Sequence, residues 1–349
     1  MPRCVSAIAK RTRRSSMQRL SVVILNWNGR SHLERYLPSV VAHTTGDAEV
    51  VVADNGSTDD SLVWLRLNYP DVRVVRLDSN YGFAGGYNRA LKEVEAEYYI
   101  LLNSDVEVTA GWWQALVARL DAEPEVAVVA PKILSVTHRE EFEYAGAAGG
   151  FIDYLGYPFC RGRIMSKVER DVGQYDDCRD IFWASGAAMC CRSEVFHAMG
   201  GFDEEFFAHM EEIDLQWRMQ LAGWRIMVEP RSTVYHLGGG TLPVSSHKIY
   251  LNHRNNLAML YKCSTTAQRC VVAIVRPFTD MAEALGYLVM LHPHKAWAIL
   301  RAWGTFIRWH GALAAKRRAV VRRKRATGIY RFSIVVRYLC GARVFKRMM

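Results

Sequence analysis

Several groups of polar residues stand where chemistry is possible. Asn26-Trp27-Asn28-Gly29, Asp54-Asn55-Gly56-Ser57-Thr58-Asp59 and Asn103-Ser104-Asp105 each follow directly on a short apolar run. Glu211, Glu212 and Asp214 crowd the apparent start of a helix, and His236 stands just before a run of glycines. Carboxylates and carboxamides that follow strands either meet a ligand beyond the strand ends or form turns and helix caps. For one exit the two readings are about even; three exits on one edge favour the ligand. The positive end of a helix favours ionised carboxylates, although acid in a first turn is also ordinary helix design. A lone histidine is more often structural than functional.

These residues need elements to position them. Apolar, β-branched runs at 22–25, 50–53, 72–77, 98–102 and 126–130 read as strands, and amphipathic stretches at 32–43, 60–68, 86–94 and 112–120 read as crossover helices between them. The expected fold is an α/β sheet, mostly parallel, with helices on both faces, and its ligand edge lies at the carboxyl ends of the strands. Residues 135–180 show no clear period and are expected to form an irregular segment over that edge. An apolar run at 184–191, a helix holding Glu211 and a short strand ending at Tyr235 follow. From about residue 252 the pattern is helical to the end, with breaks near Pro277 and Pro293.

Half of the 349 residues are apolar and 23% are charged, which is globular usage and excludes a disordered or collagen-like chain. The eight cysteines show no C-x-x-C spacing, so buried, reduced thiols are expected. The net charge of +10 is unevenly distributed: residues 1–19 hold six Lys or Arg, residues 295–349 hold fifteen, and neither stretch has an acid. That leaves 24 basic against 35 acidic side chains between them, an acidic body with two basic ends. Such ends suit an anionic membrane surface or nucleic acid. No uncharged apolar run reaches the length of about 20 residues needed to cross a bilayer. Residues 1–16 read as a tail or as an artefact of start-site choice, without the apolar stretch of a secretory signal.

Taken in order, Asn28-Gly29, Asp54-Asn55-Gly56-Ser57 with Asp59, Asn80 with Gly82-Phe83-Ala84-Gly85-Gly86 and Asn88, Asn103-Ser104-Asp105, Gly200-Gly201-Phe202-Asp203, Glu211-Glu212-Ile213-Asp214-Leu215 with Arg218, His236 and Arg254-Asn255 resemble a family 2 glycosyltransferase of the GT-A type. The resemblance is to its rhamnosyltransferase-like branch, which builds bacterial surface polysaccharides, and it covers roughly residues 20–262. It implies three regions: a basic tail at 1–19, a catalytic GT-A domain at 20–262, and a basic amphipathic helical region at 263–349.

The resemblance implies a nucleoside-diphosphate sugar donor, dTDP-rhamnose being the branch's common one, and a saccharide or lipid-linked acceptor. It places Mg2+ or Mn2+ on Asp105, with His236 as a second ligand. Asn103, which replaces the first acid of the family's Asp-x-Asp, and Ser104 then become donor-binding residues. Asn28, Asp54, Asn55, Asn80, Gly82, Gly85, Asn88 and Arg254 join them. The family's base falls on Glu212, where Glu replaces Asp, and Glu211 competes with it. Asp214 is assigned to the acceptor, and so is Trp183, whose ring could stack on a sugar. The implied location is cytoplasmic, peripheral on the inner face of the membrane, and nucleic acid is not an expected partner. Two other readings are weaker. A sugar-phosphate nucleotidyltransferase needs a Gly-rich, Arg-Lys-containing loop after the first strand, which Asn26-Trp27-Asn28-Gly29 does not match. A nucleic-acid-binding protein would have to rest on the basic tail, including Lys316-Arg317-Arg318 and Arg322-Arg323-Lys324-Arg325.

Overall fold

The computed structural model describes residues 18–238 and 245–347. The basic residues before 18 and the glycines at 239 and 240 lie outside them. Strands β1 (Gln18–Asn26), β2 (Ala48–Asn55), β3 (Arg73–Leu77) and β4 (Ala96–Asn103) alternate with helices α1 (Arg30–His43), α2 (Ser61–Asn68) and α3 (Gly82–Ala90). β1 runs parallel between β2 and β4, with β3 beyond β2. Alternation along each strand sorts the core. Leu20, Val22 and Ile24 of β1 join Tyr98, Ile100 and Leu102 of β4 on one face, while Val23, Tyr99 and Leu101 join the other. Each buried Val, Leu or Ile of this kind contributes about 1.5–3 kcal/mol, so a one-residue slip in register would be prohibitive. Helix α1 covers the first face and α3 the second. The predicted strands and helices are therefore present, and the carboxyl ends of β1, β2 and β4 share one edge.

Beyond β4 come β5 (Val106–Val108), α4 (Trp112–Ala122) and β6 (Val126–Ser135). The segment expected to be irregular then folds into β7 (Gly150–Asp153), β8 (Pro158–Cys160), β9 (Arg163–Ile164) and β10 (Lys167–Val168), a small second sheet. Strands of two to four residues are too short to carry a readable period. Next follow β11 (Arg179–Asp180), β12 (Ala188–Arg192), α5 (Ser193–Ala198), α6 (Glu211–Ala222) and β13 (Arg225–His236). β12 is antiparallel between β4 and β6, and it starts later than the apolar run because Ser185 turns the chain, its carbonyl accepting from Ala188 N–H. β13 is longer than expected. It pairs with β6 in two halves separated by an irregularity between Glu229 and Thr233, around Pro230, where a missing N–H is tolerated.

The C-terminal part contains α7 (Ser246–Cys263), α8 (Thr266–Val289), α9 (Pro293–Arg308), α10 (His310–Ala319), β14 (Ile329–Tyr330) and α11 (Ile334–Leu339). It is not helical throughout: β14 pairs with β7 and completes the small sheet. Asp153 accepts a hydrogen bond from Ile334 N–H, and Ile334 and Phe345 are buried. Removing the chain from Lys295 onward would thus open the body as well as delete basic residues. Among the described cysteines all are free; Cys160, Cys190, Cys191 and Cys263 are buried as expected, but Cys270 and Cys340 are exposed.

Candidate active site

At the end of β1 the chain is pinned to the end of β2. Asn28, at φ 49°, accepts from Thr58 and Asp59 N–H through its side-chain oxygen, and its own N–H donates to Ser57 Oγ. Asn26 donates to Asp54 and Ser57, and Asp54 accepts from Ser57 N–H, so this buried carboxylate holds the turn after β2. Asn55 reaches across to the loop before α3, donating to Asn80 and to the Gly82 carbonyl and accepting from Tyr81 N–H. Trp27, between two pinned asparagines, is 52% exposed. It is a flat apolar face on the sheet edge that the sequence reading passed over.

The exit of β4 brings Asn103, Ser104 and Asp105 beside the end of β13. Two backbone constraints set this: His236 lies opposite Val106 in the β5–β13 pairing, and Leu237 N–H donates to the Asp105 carbonyl. His236 Nε2 stands 3.1 Å from Asp105 Oδ1, and its Nδ1 stands 3.4 Å from Glu143 Oε1. All three residues are buried, and neither oxygen of the Asp105 carboxylate receives a complete hydrogen bond. Burial disfavours a charged His236, yet the carboxylates on its two sides raise it to about 10. Burial also pushes the Asp105 carboxyl up, but the imidazole outweighs it and the net direction is down. Glu143 escaped the sequence reading because it lies in the aperiodic segment.

Glu211 and Glu212 begin α6 across the 183–187 turn. Asn103 N–H donates to the Ala187 carbonyl, and a Cβ on Gly186 would lie 3.9 Å from the Glu212 Cβ, so the turn bridges the β4 exit and the two glutamates. Glu212 is half-buried, whereas Glu211 is buried. Both carboxyls are pushed up, first by burial, and Glu211 further, with the charge of Glu212 adding to it. Desolvation here outweighs the helix terminus, whose favourable effect on a carboxylate is only about 0.3–2 kcal/mol.

The approach to α6 is strained. Phe207, His209 and Met210 have φ of 64°, 71° and 70°, a left-handed backbone that costs a non-glycine residue about 1–3 kcal/mol. Asn255 on α7 holds it: its amide donates to the carbonyls of Phe206, Ala208 and His209 at 2.9, 2.9 and 2.7 Å. Asn255→Ala is therefore expected to lower stability by about 2 kcal/mol, from the Ala208 and His209 carbonyls deprived of its amide, and to lower turnover more than donor affinity. Denaturant midpoints and steady-state kinetics check this, and a variant matching the parent in both would remove the clamp from the account.

Residues 21–169 match the model of the family described as Glycosyl transferase family 2. N-acetylglucosaminyl-diphospho-decaprenol L-rhamnosyltransferase of Mycobacterium tuberculosis is 29% identical over 232 residues, covering 62% of this chain and 75% of that protein. Residues 21–169 are thus a glycosyltransferase family 2 domain. Solved structures agree in fold. The transferase resembles GalNAc-T7 crystallised with UDP, GalNAc and Mn2+ at a TM-score of 0.59 and 20% identity, over 75% of this chain and 51% of that one, about half its length. It resembles S. aureus TarS 1-349 at a TM-score of 0.54 and 18% identity, over 87% of this chain and 83% of that one.

Within this glycosyltransferase several residues expected at the site have other roles. Trp183 is buried, its indole N–H donates to the Phe151 carbonyl, and its ring lies so close to Gly150 that a Cβ there would sit 2.1 Å from it. No ring face is left for a sugar. Asp214 is fully buried and paired with Arg218 and Lys262, each at 2.9 Å, so it does not meet an acceptor. Asn88 clasps both the N–H and the carbonyl of Phe202. Arg254 donates to the carbonyls of Glu205 and Phe206, which makes it part of the clamp with Asn255 rather than a diphosphate ligand. Gly85 faces Arg89 and Tyr81, and Gly82, at φ 69°, admits Phe207 at a distance no side chain would allow. Asn28, Asp54, Asn55, Asn80, Asn103, Ser104, Asp105 and His236 gather along the strand ends, with Glu211 and Glu212 behind the Gly186 turn.

Proposed function

We propose that this chain is an inverting, metal-dependent glycosyltransferase that moves a sugar from a nucleoside diphosphate to a lipid-linked saccharide. The observation that carries the reading is the buried Asp105 carboxylate, incompletely hydrogen-bonded, facing His236 at the strand exit. The carboxylates of Asp105 and Glu143 flank His236 and together favour a cation here, and a divalent ion would take the place of the imidazole's proton, leaving the ring neutral and free to ligate it. Among the described residues no cluster of three His, Cys, Asp or Glu could hold a metal unaided. Mg2+ or Mn2+ would be held by Asp105 and His236 together with diphosphate oxygens and water. Such an ion would offset the charge developing on the departing diphosphate.

The chain's own groups divide the rest. Trp27 offers an indole face to the nucleobase, Asp54 and the neighbouring asparagines shape the pocket floor, and Asn103 and Ser104 meet the ribose and the diphosphate. Glu212 takes the proton of the acceptor hydroxyl as its oxygen bonds to the anomeric carbon from the side opposite the breaking bond. Glu212 is the more exposed of the two and lies against the Gly186 turn, which favours it over the buried Glu211 as the base. The acceptor class follows the mycobacterial relative, whose name specifies a decaprenol-linked substrate and transfer of L-rhamnose, and dTDP-rhamnose is the common donor of the branch that the sequence resembles.

A panel of nucleotide sugars tested by calorimetry with and without Mg2+ or Mn2+ is expected to give one saturable, metal-dependent binder. Binding of none, or formation of pyrophosphate from a nucleoside triphosphate and a sugar phosphate, would overturn the assignment.

A further inference from the structure

Helix α8 has two unlike faces. One packs on the body: Gln268 donates to the Tyr154 carbonyl, and Arg276 donates to the Leu155 carbonyl and to Asn256. The acids of the helix are on this side too, Asp280 paired with Arg276 and Glu283 with His253. The other face carries Val271, Ile274, Phe278, Met281, Leu285 and Leu288, spaced by three and four residues, all exposed and without a charged residue among them. A soluble surface rarely leaves such a stripe open.

The stripe continues around the corner into α9. Leu288, Val289, Met290 and Leu291 form the corner, with Val289 84% and Leu291 86% exposed and Leu291 in left-handed backbone at φ 59°. On α9 the exposed positions Trp297, Leu300 and Ile307 adjoin Arg301 and Arg308. An apolar edge beside a cationic one, with an exposed tryptophan, is the pattern of a helix lying in a membrane interface. No helix among the described residues is long and apolar enough to cross a membrane.

We infer that α8 and the α8–α9 corner dock this protein on an anionic lipid surface, the apolar stripe entering the headgroup boundary and the arginines of α9 meeting lipid phosphates. Charge selects this occupant over a second copy. Beside the stripe, α9 carries Lys295, Arg301 and Arg308 and no acid, so apposing two such faces would bring like charges together, whereas each Lys or Arg near an anionic bilayer is attracted. The inference stands apart from the reaction proposed above, because it concerns a surface that no step of that reaction uses.

The test is flotation of the full chain with vesicles of phosphatidylcholine alone or mixed with phosphatidylglycerol. The parent protein is expected to float with the mixed vesicles, and the triple variant Ile274→Glu, Phe278→Glu, Leu285→Glu to lose affinity at least about tenfold. These side chains are exposed, so the variant should keep the parent's Tm and circular dichroism. In parallel, brominated acyl chains should quench the parent's fluorescence more than that of Trp297→Phe. Absence of flotation, equal flotation with neutral vesicles, or flotation indifferent to the triple variant would each overturn the inference. So would a lipid-independent dimer that the triple variant dissolves.

Discussion

Asp105→Asn should remove nearly all transfer, by about 10³-fold or more, because the carboxylate proposed to hold the cation is worth several kcal/mol to a reaction whose leaving group gathers negative charge. The substitution preserves size but takes one carboxylate from His236, so the variant's Tm is measured alongside to separate lost chemistry from lost stability. Calorimetry separates the possibilities. In the parent, affinity for the nucleoside diphosphate should rise sharply with Mn2+ or Mg2+; in the variant the two titrations should nearly coincide. A variant retaining the metal-dependent rise would move the cation elsewhere, with Glu143 the next group to try.

Glu212→Gln keeps shape and hydrogen bonding but cannot accept a proton, so donor binding should survive while turnover falls about 10²- to 10⁴-fold. The parent's rate should rise with pH along a limb displaced above the ordinary carboxylate range, because burial raises this carboxyl and only its ionised form is a base. Stability should move oppositely. A carboxyl raised in the folded state holds a proton that the unfolded chain releases, so its cost appears as pH climbs above the unfolded pKa and grows until the folded pKa is passed. Glu212→Gln should therefore be less active and, at alkaline pH, more resistant to denaturant than the parent. If Glu211→Gln shows the larger kinetic loss, the two neighbours exchange roles.

The strand exits were legible because apolar alternation marks where each strand ends, and the residue after an end must lie on the edge; Asn28, Asp54, Asn103 and Asp105 are there for that reason. Side-chain direction was not legible. Asp214 and Glu212 are two residues apart on one helix, yet one meets Arg218 and Lys262 inside the body while the other lies beside Gly186. Trp183 looked like a sugar platform by type and position, but Gly150 gives its ring a seat in the core. Glu143 depends on the path of a segment with no period, and the small sheet that carries that path is closed by β14, nearly 180 residues later in the chain.

The clamp of Asn255 on the left-handed turn also has a consequence in time. The turn and the glutamates after it are synthesised before α7 exists, and a ribosome adds only about 5–20 residues per second. Until Asn255 emerges, the carbonyls of Ala208 and His209 lack its side-chain amide, Phe206 keeps only the Ala208 N–H of the turn itself, and the strained backbone has every reason to relax. A nascent chain that already displays the strand exits proposed to bind the donor thus lacks the turn that sets the proposed base. On that reading the site is complete only once α7 has arrived.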